Sequence, residues 1–135
     1  MPTFNDPKKL ADYLKKALDA QVATTLITVQ SKLGSDLVSP KDTGRFRSSW
    51  FAAEGTASSD TAPEGTNSPN TDATGLRVDS SKTYHLTNNL PYAQSVAIEG
   101  RVVSKPTTWF KDFRDSQIPK LQEEAARQVK QQFDL

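Results

Sequence analysis

Residues 7–34 read PKKLADYLKKALDAQVATTLITVQSKLG, and this stretch decides the fold class. Leu10, Leu14, Leu18, Val22, Leu26, Val29 and Leu33 recur at the spacing of one helix face. Lys8, Lys9, Asp12, Lys15, Lys16 and Asp19 fall mostly on other faces. Asn5 or Asp6 supplies a cap, and Pro7 suits the first helical position, whose N–H has no partner within a helix anyway. Gly34 follows the last apolar residue as a C′ glycine does. The pattern predicts one helix over 7–33, locally weakened by Thr24, Thr25 and Thr28.

One apolar stripe must be covered by something else. At the far end of the chain, residues 107–133 repeat the helical pattern loosely through Phe110, Phe113, Gln117, Leu121, Ala125, Val129 and Phe133, behind a cap at Thr107 or Thr108. Pro119 interrupts it, because proline removes a ladder bond and clashes with the preceding turn. A kink at 115–119 is expected, or two helices with Ser116 capping the second.

Between the helices lie strands. Pro40 separates the first helix from a short turn at 43–47, and a strand is expected over about 48–57. Ser48, Trp50, Ala52 and Glu54 would share one face, with Ser49, Phe51 and Ala53 on the other. Residues 56–76, TASSDTAPEGTNSPNTDATGL, have no apolar period and little to offset the entropy of ordering. They read as a long flexible loop, the tip of a protruding hairpin. Leu76, Val78, Tyr84 and Leu86 alternate as a returning strand does. Asn88-Asn89 is turn chemistry, PYAQSVAIEG (91–100) reads as a short helix, and 101–108 returns to extended or loop structure. Tyr92, Ser95, Val96 and Glu99 would share a side of that short helix. The expectation is a single α+β domain over 1–135, with two long helices packed on a small antiparallel sheet.

Composition narrows the function. In 135 residues, Lys+Arg is 17 and Asp+Glu is 16, a net charge of +1. Such a balance gives no long-range field for DNA or an anionic membrane. The mean hydropathy of −0.63 is polar for a self-sufficient globule. There is no cysteine, so disulfides and thiolate metal sites are excluded. No window is apolar for the length a bilayer needs, and the first residues lack the core of a signal peptide. A protein made in a cytoplasm is expected.

Catalytic signals are weak. His85 is the only histidine, and no nucleophile elbow, phosphate-binding glycine loop or metal-ligand spacing accompanies it. Neither a catalytic residue nor a cofactor or metal site is assigned. Arg45 and Arg47 flank Phe46, a pattern that binds nucleic acid when a wider basic field surrounds it; none does here, so a pairing role is preferred. Trp50 and Phe51 are adjacent on a strand and point to opposite sides. One of them must therefore meet either water or a neighbour, and interfaces favour such residues. Trp109 and Phe110, with Phe113, read mainly as core.

SPKDTGRFRSSW (39–50), NNLPYAQSVAIEG (88–100) and KPTTWFKDF (105–113) together resemble the tail-completion or neck proteins of tailed bacteriophages. Asp42-Thr43-Gly44-Arg45 and Pro91-Tyr92-Ala93 are the most specific pieces. Three features depart from the family pattern: Val96-Ala97-Ile98-Glu99-Gly100 where a Tyr- or Val-rich turn usually precedes the acidic residue and glycine, the length and Ser/Thr/Asn richness of 56–76, and Pro119. The resemblance implies a structural, non-enzymatic virion protein in the neck, forming a homo-oligomeric ring between head connector and tail. Sixfold symmetry is favoured, with twelvefold the alternative. The implied partners are the portal, adaptor or head-closure protein on one side and the tail terminator or tail tube on the other. Genomic DNA would be only the contents of the lumen, and no membrane is involved. Asp42 or Thr43 would cap the turn at Gly44, Arg45 would reach a carboxylate such as Glu99, and Pro91-Tyr92 would fix the short helix. A head-closure stopper or tail-terminator ring is the near alternative; a DNA-binding packaging accessory is the alternative of another class.

Overall fold

The computed structural model describes residues 2–35, 37–40, 44–100 and 105–135. Helix α1 spans Pro7–Leu33, with Asp6 as its cap: the Asp6 side chain accepts from the Lys8 N–H at 2.9 Å. Gly34 does close the helix, but not as a left-handed C′ residue, since its φ is −76°. It is close to Pro69 instead, whose Cβ would lie 2.8 Å from a Cβ added at position 34.

Strands β1 (Trp50–Glu54) and β2 (Tyr84–Asn88) form a two-stranded antiparallel sheet that pairs Trp50 with Asn88 and Glu54 with Tyr84. β1 is shorter than the expected 48–57. The hydroxyls of Ser48 and Ser49 donate to the carbonyls of Gly44 and Arg45 at 2.7 Å. These four-residue back-bonds hold 44–48 in a helical-type turn rather than a strand. Leu76 and Val78 are not in β2; they pack beside Leu26, Ala52 and Ala73.

The last helical segment runs as α2 (Trp109–Asp112), one π turn over Phe113–Gln117, and α3 (Ile118–Gln132). The expected break at Pro119 is absorbed by that π turn, in which the Ile118 N–H donates to the Phe113 carbonyl. The wider turn gives the proline ring room at the carbonyl four residues back. Ser116 caps nothing, because the residue before α3 is Gln117, with no side-chain cap. Over 91–100 the short helix is a single π turn, Gln94–Ile98. Of the 101–108 stretch, residues 101–104 lie outside the described residues.

α1 and α3 run antiparallel. Tyr13 near the start of α1 stacks edge-on against Phe133 at 5.4 Å and donates its hydroxyl to the Phe133 carbonyl. At the other end Val29 and Leu33 share a core with Phe46, Trp50, Leu90, Trp109 and Phe113. The apolar stripe of α1 is buried unevenly: Leu26, Val29 and Leu33 are covered, but Leu14 and Leu18 stay 40% and 54% exposed. The architecture is thus the expected α+β arrangement of long helices on a small antiparallel sheet.

Candidate functional site

The chain between β1 and β2 is as long as predicted but does not protrude. It folds back as a strap. Asn89 Nδ2 donates to the carbonyls of Ser58 and Asp60 at 2.6 and 3.1 Å. Ala62 is buried, its N–H donating to Ser49 Oγ at 3.2 Å. Further on, a single 3-10 turn at Asp72–Gly75 docks on α1 and β1. There Gln30, only 2% exposed, donates to the Trp50 carbonyl at 3.1 Å and to Asp72 Oδ1 at 2.5 Å, and accepts from the Ala73 N–H at 3.0 Å. Asp72 also accepts from the Ala52 N–H at 3.1 Å. A segment with almost no apolar side chains is held by polar groups of the body instead.

The predicted architectural residues sit around this strap. Gly44 has φ +88°, as its place in the turn requires, and a Cβ there would lie 2.0 Å from Asn67 Oδ1. Arg45 does not carry the predicted link to Glu99; its Nε donates to the Ala62 carbonyl at 2.8 Å. The Glu99 carboxylate accepts from Ser95 Oγ at 3.0 Å, which places these two on one side of the π turn, as expected. Arg47 bridges the end of α1 to the strap, donating to the Gly34 carbonyl at 3.2 Å and to Asn67 Oδ1 at 2.7 Å. Both arginines thus hold the strap. Asp42 and Thr43, the predicted caps, lie outside the described residues.

The aromatic residues converge. Phe46 meets Trp50, Tyr92 and Trp109 at centroid distances of 5.8, 6.5 and 6.0 Å, and Trp50 stacks on Phe110 at 5.9 Å. Trp50 and Trp109 are core, so neither is the exposed aromatic of an interface. Phe51, on the other sheet face, is the half-buried member of its pair. Pro91 is exposed at the entry to the π turn, where the Val96 carbonyl accepts from Trp109 Nε1 at 2.9 Å. His85 is exposed, its Nε2 3.0 Å from the Gly55 carbonyl.

Two apolar hollows flank α1. One of about 510 Å³ lies between α1, the sheet and the π turn, lined by Val22, Leu26, Trp50, Leu86, Phe110 and Ile118 among others. The second, about 390 Å³, is lined by Leu14, Ala17 and Leu18 of α1 and by Ala126, Val129 and Leu135.

A charged clasp fixes the end of the strap to α1. Lys15 Nζ lies 2.8 Å from both Asp19 and Asp79. The hydrogen bond to Lys15, helped by the Ser81 N–H, holds the Asp79 carboxyl well below the usual carboxylate range. Asp19 is lowered by Lys15 and then Ser80, and Lys15 is raised by Asp19 and then Asp79.

Compared with protein-family models, with curated proteins and with solved structures, the chain matches none. Among the described residues no helix is long and apolar enough to cross a membrane. The sequence reading missed Gln30, Asn67, Asp72 and Asn89, the polar residues that place the strap. Gln30 carried a signal: it is an amide lodged in the apolar stripe, four residues after Leu26 and three before Leu33.

Proposed function

We propose that this chain is a structural subunit of a ring in the neck of a tailed bacteriophage, joining the head connector to the tail. The role is architectural rather than catalytic and calls on no cofactor. One observation carries the reading. The three segments that bear the resemblance are far apart in sequence, yet Phe46 and Trp50 from the first, Leu90 and Tyr92 from the second and Trp109 from the third pack into one cluster. Residues that jointly build a core explain why such a pattern recurs at those places: it specifies a shape. The exposed Leu14 and Leu18 beside the second hollow add support, since exposed apolar surface suits a subunit that is completed by neighbours.

A ring requires two different surfaces on each subunit that match one another. Sixfold symmetry follows if the ring seats on a tail tube. The DNA-binding alternative loses ground, because Arg45 and Arg47 both donate to groups within the chain. Cryo-electron microscopy of assembled particles tests the proposal. A ring of this chain between portal and tail is expected; its absence from the particle would overturn the reading.

A further inference from the structure

The two outer edges of the sheet are treated differently by the rest of the chain. The Gly55 N–H donates to the Thr83 carbonyl at 2.7 Å, so the inward-bonding pairs are 55/83, 53/85 and 51/87. Residues 50, 52 and 54 of β1 and their partners 88, 86 and 84 of β2 therefore point their backbone groups outward. On β1 this edge is partly covered from within: the Trp50 carbonyl accepts from Gln30 and the Ala52 N–H donates to Asp72. On β2 the outward groups of Tyr84, Leu86 and Asn88 have no partner among the described residues. Space lies beside them: the 510 Å³ hollow reaches Tyr84 and Leu86, and another of about 260 Å³ is lined by Leu86, Thr87 and Asn88. The strand also lacks the lysine, proline or bulge that usually protects an edge.

We propose that β2 pairs antiparallel with β2 of a second copy, about a two-fold axis through Leu86, to make one continuous four-stranded sheet. The edge is complementary to itself in that register. Leu86 faces Leu86 of the other copy, Tyr84 faces Asn88, and all three outward-bonding residues meet outward-bonding residues. Every outward backbone group of both strands is then satisfied at once. Between them His85 faces Thr87, so no like charges meet. A two-stranded hairpin is marginal by itself, and doubling it adds the strands that independent sheets need. The contact is isologous and closes on a pair. It concerns the free chain and stands whether or not the neck reading holds.

The test uses the full chain and two double variants. H85K/T87K sets lysine opposite lysine across the new pair; H85E/T87K sets glutamate opposite lysine. Both lose the same native side-chain bonds, from His85 to Gly55 and from Thr87 to Ser58. Thermal melts at low concentration check that both monomers fold. Sedimentation from micromolar to near-millimolar concentration should show a monomer–dimer equilibrium for the natural chain. H85K/T87K should dimerise roughly tenfold more weakly, and H85E/T87K should recover the loss. The amides of Tyr84, Leu86 and Asn88 should exchange more slowly as the dimer fills. A monomer at every concentration overturns the proposal, and so does a dimer indifferent to which pair of charges is installed.

Discussion

Gln30 and Asp72 lie 42 positions apart and are joined by a hydrogen bond of 2.5 Å, buried on the Gln30 side. The same amide also holds the Trp50 carbonyl and the Ala73 N–H, so a single side chain ties α1, β1 and the strap together. Removing it leaves buried backbone groups unpaired, and each such group costs about 1–3 kcal/mol.

Gln30→Leu is accordingly expected to lower the unfolding free energy by about 2–4 kcal/mol in urea titration, although leucine fills a similar volume. Asp72→Ala should cost less on its own. The double variant should lose less than the sum of the two, with a coupling on the order of 1–2 kcal/mol. Additive losses would mean that the strap is held elsewhere.

That contact also marks where the sequence was legible and where it was not. Helix α1 was readable from end to end, because its leucines and valines repeat with the helical period. The antiparallel pairing of a strand at Trp50 with one at Leu86 was readable from alternation. The path of 56–76 was not. Asn67, Asp72 and Asn89 act through directional hydrogen bonds to groups far away in sequence, and such bonds leave no period behind. A segment too polar to make its own core was therefore read as flexible, whereas the body supplies its partners. The exposure of Leu14 and Leu18 was hidden for a related reason. Periodicity shows which face of α1 is apolar, but not where across that face a second helix lies: α3 reaches Tyr13 and covers Ala17, and leaves Leu14 and Leu18 to one side.

The Lys15 clasp makes stability depend on pH in a defined sense. Asp79 and Asp19 titrate below their ordinary value of 3.8 in the folded chain. Depressed carboxylates stabilise the fold above the unfolded value and lose that contribution as pH falls through the folded one. Lys15 is raised above 10.5, so its share is present below that value and lost as pH rises through the folded one. Asp79→Asn should lower the melting temperature at neutral pH and flatten its decline below pH 3.8. Lys15 is exposed and the two carboxylates are only half-buried, so molar salt should shrink the difference. Parallel melting curves for the two proteins across that acid range would remove the clasp from the account.

Gly44 and Gly55 separate two costs that are often combined. Both have positive φ, +88° and +76°, but a Cβ at Gly55 meets open space while one at Gly44 meets Asn67. Gly55→Ala should therefore cost only the backbone penalty of about 1–2 kcal/mol. Gly44→Ala should cost about 2–4 kcal/mol, since Asn67 must also move off Arg47. In an Asn67→Ala background that excess should vanish. Equal losses at the two glycines in chemical denaturation would show that the fit of Gly44 against the strap is unimportant.

Pro119 tests why the last helix carries a π turn. Phe113 and Ala125 are both buried, and on an uninterrupted α-helix their spacing would set them about 120° apart around the axis. Absorbing one residue in the π turn reduces that offset to about 20°. Trp109 and Phe113 can then face the core from one side of the turn while Ala125 and Val129 face it from the other. On this account the π turn serves alignment, and the proline merely tolerates it. Pro119→Ala should keep the π turn and change stability by less than about 1 kcal/mol, not by the ~3 kcal/mol gained when proline leaves a regular helix. Deleting the exposed Ser116 from the natural chain should force proline into a regular ladder and cost that ~3 kcal/mol. Deleting Ser116 in the Pro119→Ala background should restore the ordinary ladder and keep the offset between Phe113 and Ala125 at about 20°, since one residue fewer on a regular helix gives the alignment that the π turn gives now. That variant should therefore melt at or above the Pro119→Ala protein, with the core contacts of Phe113 and Ala125 kept. If it instead loses as much stability as the deletion in the natural chain, or if Pro119→Ala alone loses the π turn, alignment is not what the π turn serves.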